Sequence, residues 1–243
     1  MNGLNISKRI KLKLKKVFYP SSLLKIAECV GGDKLYGHNY IPLYEKYFKN
    51  IRTRKLKILE IGIGGYENPL AGGESLRMWG EYFSNSQLIG ADLFPKTLNL
   101  PSNVKTVELD QSDLSQIEDL GVMYGPFDII IDDGSHVSKH VIDTFKILFN
   151  YLNIEGYYFV EDTQTAYWPD FGGSLDNDEK RCTNFFKSLT DGLNFSEYLI
   201  ANYKPTKFDK YINFIHFYHN IIVISKDHNN IKSNLVENGK INI

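Results

Sequence analysis

The sequence predicts an α/β protein: a doubly wound, mostly parallel sheet of seven strands, ending in an antiparallel hairpin and preceded by a helical extension. Short β-branched apolar runs alternate with stretches whose apolar residues recur at helical spacing, the pattern of strand–helix–strand units. Acidic and polar residues gather where those runs end, which is where open α/β sheets bind ligands. Near the C-terminus, residues 211–218 and 221–224 are β-rich and separated only by His219-Asn220, a hairpin signal.

The chain has 243 residues, enough for one large α/β domain or a domain with an extension; residues 1–52 are expected as a helical extension and 53–243 as the sheet domain. Hydrophobic content of 42% and charged content of 23% suit a soluble globular protein. A formal net charge of -1 argues against a general nucleic-acid binder, which is usually basic. Cys29 and Cys182 stand far apart in no metal or redox spacing, which fits a reducing cytosol. No apolar run approaches the roughly 20 residues needed to span a bilayer. Lys8, Arg9, Lys11, Lys13, Lys15 and Lys16 are followed by no apolar core and no cleavage site. They are read as a solvated face, not as a secretory signal or a membrane anchor, and a cytoplasmic location is expected.

In chain order, Pro20-Ser21-Ser22 opens a helix that Gly31-Gly32 stops. Residues 33–40 read as a polar, aromatic linker, and Ile41, Leu43, Tyr44, Tyr47 and Phe48 give the next helix its apolar face. His38, Tyr40 and Tyr44 either pack that helix or form a lid over a ligand. The first strand, 57–61, runs into Glu60-Ile-Gly-Ile-Gly64, where Gly62 and Gly64 let the backbone turn sharply and approach a ligand. A long loop, 65–73, precedes a helix over 74–83. The second strand, 87–91, ends on Asp92, the place where nucleotide-binding sheets hold a ribose diol. The third, 104–109, ends on Asp110-Gln111-Ser112-Asp113, whose tips can meet an adenine edge, although Ser112 is equally placed to cap a helix from about Leu114.

The fourth strand carries the densest chemistry: Phe127-Asp-Ile-Ile-Ile131 breaks into Asp132-Asp133-Gly134-Ser135-His136. Adjacent carboxylates repel unless a cation or donor compensates them. After a helix over 139–151, the fifth strand, 157–160, ends on a second carboxylate pair, Glu161-Asp162. An aromatic, glycine-rich loop over 166–173 is long enough for a substrate wall, 177–193 reads as helical, and the polar tail from Lys226 is expected to fray.

A dinucleotide site is disfavoured, because Glu67 stands where Gly-x-Gly-x-x-Gly needs its third glycine. The strand-end Glu-x-Gly-x-Gly followed by an acid after the next strand resembles the cofactor site of class I S-adenosylmethionine methyltransferases, which are Rossmann-like. The stretch Leu59-Glu-Ile-Gly-Ile-Gly-Gly-Tyr-Glu-Asn-Pro-Leu-Ala-Gly-Gly-Glu-Ser-Leu-Arg-Met-Trp79, with Asp133-Gly-Ser-His136 and Glu161-Asp162, resembles the macrolide sugar O-methyltransferases of the mycinamicin and macrocin type. The resemblance covers roughly residues 33–225, with the helical extension where that family carries an auxiliary domain. It implies S-adenosylmethionine held by Glu60, Gly62, Gly64, Tyr66, Ser75, Asp92, Asp110, Gln111 and Asp132, with His38 and Tyr40. It also implies magnesium. Asp133, Glu161 and Asp162 are hard oxygen ligands with no cysteine among them, which suits Mg²⁺ or Mn²⁺ over zinc. His136 is the expected general base, since imidazole titrates near working pH, and His140 is the weaker candidate. His216 and His219 are read as surface or core residues.

The expected reaction is methyl transfer to a sugar hydroxyl by a homo-oligomer with no nucleic-acid partner. Richness in Asn, Lys and Ile suits an AT-rich bacterial genome, so the expected acceptor is a nucleotide-linked sugar, for instance a heptose for capsule or surface polysaccharide. The alternatives are a phosphoramidate or other phosphorylated acceptor read by Lys180, Arg181 and Lys187, a metal-dependent hydroxylase-like enzyme, and a non-catalytic cofactor-binding subunit.

Overall fold

A computed structural model describes residues 22–176 and 180–241. The basic residues between Lys8 and Lys16, and Pro20-Ser21, lie outside the described residues, as do 177–179 of the helix expected over 177–193. The chain divides into two compact units, one ending at Leu109 and one starting at Asp110. Among the described residues seven strands carry the fold, three in the first unit and four in the second, with a further two-stranded pair in the tail.

In the first unit, α1 (Leu23–Val30) starts at Ser22, whose hydroxyl accepts the Lys25 N–H, and ends at Gly31, where φ is 84°. The expected linker contains a short helix, α2 (Asp33–Tyr36), which the polar composition had concealed. Its sequence is compatible with a turn of helix because Asp33 places an acid at the helix start and accepts the Lys34 N–H at 2.8 Å. Next comes α3 (Ile41–Phe48), which buries Ile41, Tyr44 and Phe48. Tyr44 and Phe48 meet Trp79 of α4 (Glu74–Tyr82) edge-on, at 4.9 and 5.7 Å between ring centres. Strands β1 (Lys57–Ile61), β2 (Gln87–Asp92) and β3 (Val104–Glu108) are parallel, with β2 between the other two.

In the second unit, α5 (Leu114–Tyr124) is capped by Asp113, which accepts the Ser115 and Gln116 N–H groups. The Ser112 cap is therefore corrected: its hydroxyl donates to Asp110 at 2.6 Å. Strand β4 (Phe127–Asp132) is followed by α6 (Ser138–Leu148), and β5 (Leu152–Val160) pairs parallel to β4. β5 starts five residues earlier than expected, because Leu152 already pairs with Phe127 before the register shifts ahead of the Ile129–Tyr157 pair. The shift surrounds Glu155, at φ 64°, and Gly156, which break the alternation that marks a strand.

A shorter helix than expected, α7 (Cys182–Ser188), gives way to a 3-10 segment over Asp191–Glu197. Then α8 (Lys207–Tyr211) forms on a capping box between Thr206 and Asp209, a signal legible in the sequence but overlooked. Strand β7 (Ile221–Lys226) lies antiparallel between β5 and β6 (Ile212–Tyr218), so it is buried along its length. The expected fraying of the tail is also corrected. Val236–Glu237 pairs with Lys240–Ile241 around Asn238-Gly239, whose φ angles of 46° and 74° suit the two-residue turn that Asn-Gly favours. Asn238 fastens this hairpin by accepting the Asn202 N–H at 3.0 Å.

Candidate functional site

The first unit builds its polar feature at the ends of β1 and β2. Asp92 accepts the Ile63 N–H at 3.0 Å through one oxygen and the Phe94 N–H at 3.1 Å through the other. The acid after β2 thereby holds the glycine loop after β1. The loop closes on itself where Gly73 N–H donates to Ile63 O at 2.7 Å. Gly65 and Gly72 allow that closure: both have positive φ, and a Cβ on Gly72 would stand 2.3 Å from Gly64 O. Tyr66 is 87% exposed at the loop tip, and its carbonyl receives the Lys96 ammonium.

Glu60 is buried and committed inside this unit. It accepts the Ser75 hydroxyl at 2.8 Å and the Trp79 indole N–H at 3.1 Å, and lies 3.6 Å from the buried Lys34 ammonium. Glu60 and Ser75, both expected at the cofactor, hold one another. Lys34 was missed in the sequence, where it looked like one more charge in a polar linker. His38 and Tyr40 stack at 5.1 Å, with Tyr40 buried and His38 half-buried.

The second unit builds its site where β4 and β5 end. Ligand atoms of Asp133, His136 and Asp162 all lie within 4.8 Å of one another. This brings together two of the three expected metal ligands and the expected base. Glu161, the third expected ligand, is buried between β5 and Asp162 in sequence, its N–H donating to Asp132 O at 2.9 Å, and is outside that group of three. His136 and Asp162 both adopt left-handed backbone, at φ 57° and 52°. Such strain in non-glycine residues concentrates at functional sites. Thr165 Oγ1 lies 3.0 Å from the carbonyl oxygens of both residues, so its one hydroxyl bridges the two turns. Nothing in the sequence around Thr165 signals this role, which exists only because the turns meet.

Asp132 is buried beside this cluster, and burial pushes its carboxyl up to about 7 against the pull of donors on Gln111 and Tyr158. Those bonds are 2.8 and 3.2 Å long. Asp110 is instead held below the ordinary carboxylate range by the Ser112 hydroxyl and N–H. His140, the weaker candidate base, is engaged by the Ser135 hydroxyl at 2.9 Å. His216, read as a surface or core residue, is exposed and stacks on Phe214 at 4.1 Å. Arg181, a candidate for reading a phosphate, is buried: its guanidinium lies over the Tyr167 ring at 5.1 Å and donates to Ser174 O and Asn184. It braces the aromatic loop, on which Tyr167 and Trp168 are 42% and 49% exposed. No helix among the described residues is long and apolar enough to cross a membrane.

No family model matches the chain. It is 43% identical over 197 residues to 8-demethyl-8-alpha-L-rhamnosyl tetracenomycin-C 2'-O-methyltransferase of Streptomyces olivaceus, covering 81% of this chain and 52% of that protein. It is 39% identical over 195 residues to mycinamicin VI 2''-O-methyltransferase of Micromonospora griseorubida, covering 79% of this chain and 49% of that one. Among solved structures, MycE methyltransferase from the mycinamycin biosynthetic pathway, in complex with Mg and SAH, matches with a TM-score of 0.83 at 35% identity. That match covers 87% of this chain and 56% of the other. A second complex, which also holds mycinamycin VI, matches at 0.81. The structure thus has the Rossmann-like methyltransferase fold. Within that class the chain is similar to the sugar O-methyltransferases of the mycinamicin and macrocin type. It spans about half the length of the curated relatives it matches.

Proposed function

We propose that this chain transfers the methyl group of S-adenosylmethionine to a sugar hydroxyl with the help of Mg²⁺ or Mn²⁺. The observation that carries the reading is the convergence of Asp133, His136 and Asp162 at the ends of β4 and β5. Two carboxylates with a third, Glu161, next in sequence are the donor set of a hard cation, and no cysteine lies in the group. Asp133, Glu161 and Asp162 would hold the ion, which when bound would lower the pKa of an acceptor hydroxyl and fix its direction. His136, in the same cluster, takes that proton as general base. Methyl transfer is then an in-line attack whose catalysis is mostly positioning.

The cofactor roles proposed in the first unit are those of the Gly62–Gly64 loop, Asp92 for the ribose diol, Tyr66, His38 and Tyr40, with Glu60 and Ser75 shaping the loop from below. In the second unit they fall on Asp110 and Asp132. Asp92 keeps lone pairs for ribose hydroxyls while accepting its two N–H groups, because an ionised carboxylate offers about four acceptor sites. The acceptor is a sugar: the relatives act on rhamnosyl tetracenomycin and on mycinamicin VI. A nucleotide-linked sugar such as a heptose is the first acceptor to test, and a sugar already attached to an aglycone is the second. Of the residues expected to read a phosphorylated acceptor, Arg181 is buried, whereas Lys180 and Lys187 are exposed.

The test is mass spectrometry of both kinds of acceptor incubated with protein and S-adenosylmethionine, with magnesium and with excess chelator. A methylated sugar that disappears with chelator is expected. A product formed equally in chelator would keep the methyltransferase and remove the metal from the mechanism, and no consumption of S-adenosylmethionine with any sugar would overturn the reading. The glycine loop gives a separate prediction. A methyl group on Gly72 meets backbone at 2.3 Å with φ at 89°, so Gly72→Ala must open the loop at a cost of about 1–3 kcal/mol. Calorimetric titration with S-adenosylmethionine should show affinity falling about tenfold or more, at ~1.4 kcal/mol per decade. Unchanged affinity would remove this loop from the cofactor site.

A further inference from the structure

Gln111 stands out because both ends of its amide are used within a few residues of the metal cluster. The side chain is 6% exposed. Its Nε2 donates to Asp132 Oδ1 at 2.8 Å, and its Oε1 accepts the Ser135 N–H at 2.8 Å. Between those two anchor points lie Asp133 and Gly134. One planar amide therefore closes the turn that carries the first metal-binding carboxylate. Its polarity is fixed, since the donor end must face the Asp132 carboxylate and the acceptor end the Ser135 N–H. Ser135 is held a second time, through its hydroxyl, by His140 at 2.9 Å. Immediately beyond it the backbone enters the left-handed region at His136, whose carbonyl is fastened by Thr165.

We infer that Gln111 is a positioning residue: by spanning Asp132 and Ser135 it sets the Asp133–His136 turn so that Asp133 meets His136 and Asp162. The inference rests on the metal-binding reading of that cluster. It departs from the role in cofactor contact that the resemblance implies for Gln111, because an amide with donor and acceptor both engaged internally has less to offer a ligand. Residues that orient metal ligands contribute about 10- to 100-fold in metal affinity, which sets the size of the expected effect.

The test uses the whole chain and Mn²⁺ as the probe, titrated by electron paramagnetic resonance without acceptor. Wild type, Asp133→Ala, Gln111→Met and Gln111→Glu are compared, with S-adenosylmethionine affinity measured separately and folding checked by circular dichroism. Gln111→Met keeps length and shape and removes both polar ends. Gln111→Glu keeps the acceptor for Ser135 but faces Asp132 with a second carboxylate, and it serves if the Met variant does not fold. Mn²⁺ affinity should fall about 10- to 100-fold in the Met variant, and any loss of S-adenosylmethionine affinity passed on through Asp132 should be smaller than that. Wild-type Mn²⁺ affinity in both variants would overturn the inference alone, as would a selective loss of S-adenosylmethionine affinity. A wild-type protein that binds no Mn²⁺, or an Asp133→Ala variant that binds it normally, would overturn the metal reading beneath it.

Discussion

Asp133→Ala is expected to abolish methyl transfer while leaving S-adenosylmethionine binding nearly intact. The side chain sits in the one group among the described residues where two carboxylates and an imidazole bring ligand atoms within 4.8 Å of one another. Its loss removes a charge that would hold the cation and, with the cation, the means of acidifying the acceptor hydroxyl. The effect should therefore exceed the roughly 10²- to 10⁴-fold that removal of a single acid–base group costs. His136→Ala should show that smaller range in kcat with Mn²⁺ binding retained, which separates the base from the ligands. Steady-state rates paired with cofactor titrations decide the matter. An Asp133→Ala protein that loses cofactor affinity as severely as rate would show that Asp133 belongs to the cofactor site instead.

The second large effect is on folding. Glu60→Ala should destabilise the protein by about 3–5 kcal/mol, the usual consequence of removing one partner from a buried ion pair. The carboxylate is 1% exposed and the Lys34 side chain 3% exposed, so neither charge is screened by water. The same substitution takes the acceptor from the Ser75 hydroxyl and the Trp79 indole. Replacing both charges, as in Glu60→Leu with Lys34→Met, should recover only part of the loss. The pair itself is then gone without an unpaired charge, but the Ser75 and Trp79 donors stay unsatisfied at about 1–3 kcal/mol each. Urea denaturation of the three proteins measures this. A Glu60→Ala loss below ~1 kcal/mol, the size of an ordinary substitution, would show that the buried network does not support the fold.

Much of this protein was legible without coordinates. The cores of β1, β2 and β4 are short, mostly apolar runs whose burial leaves a local signature, and glycines and acids follow at their ends. Asp132-Asp133 and His136 fall at the end of β4 and Glu161-Asp162 at the end of β5, so the candidate site could be named from the order of strands alone. Some misses were local signals passed over, such as Thr206 with Asp209, and Asn238-Gly239.

Other features belong to the tertiary structure because they depend on residues far apart in the chain. Lys34 became a buried cation because Glu60 lies beside it. Arg181 became a brace because Tyr167 and Ser174 surround it. Above all, packing brought His136 together with Asp133 and Asp162 and left Glu161 outside the group, although Glu161 and Asp162 are equivalent acids in the sequence. The sequence by itself determined which elements form and where their polar ends fall, since period and turn chemistry are local. Which of several chemically similar side chains takes each role was decided only in three dimensions, where hydrogen bonds and burial distinguish neighbours that composition treats alike.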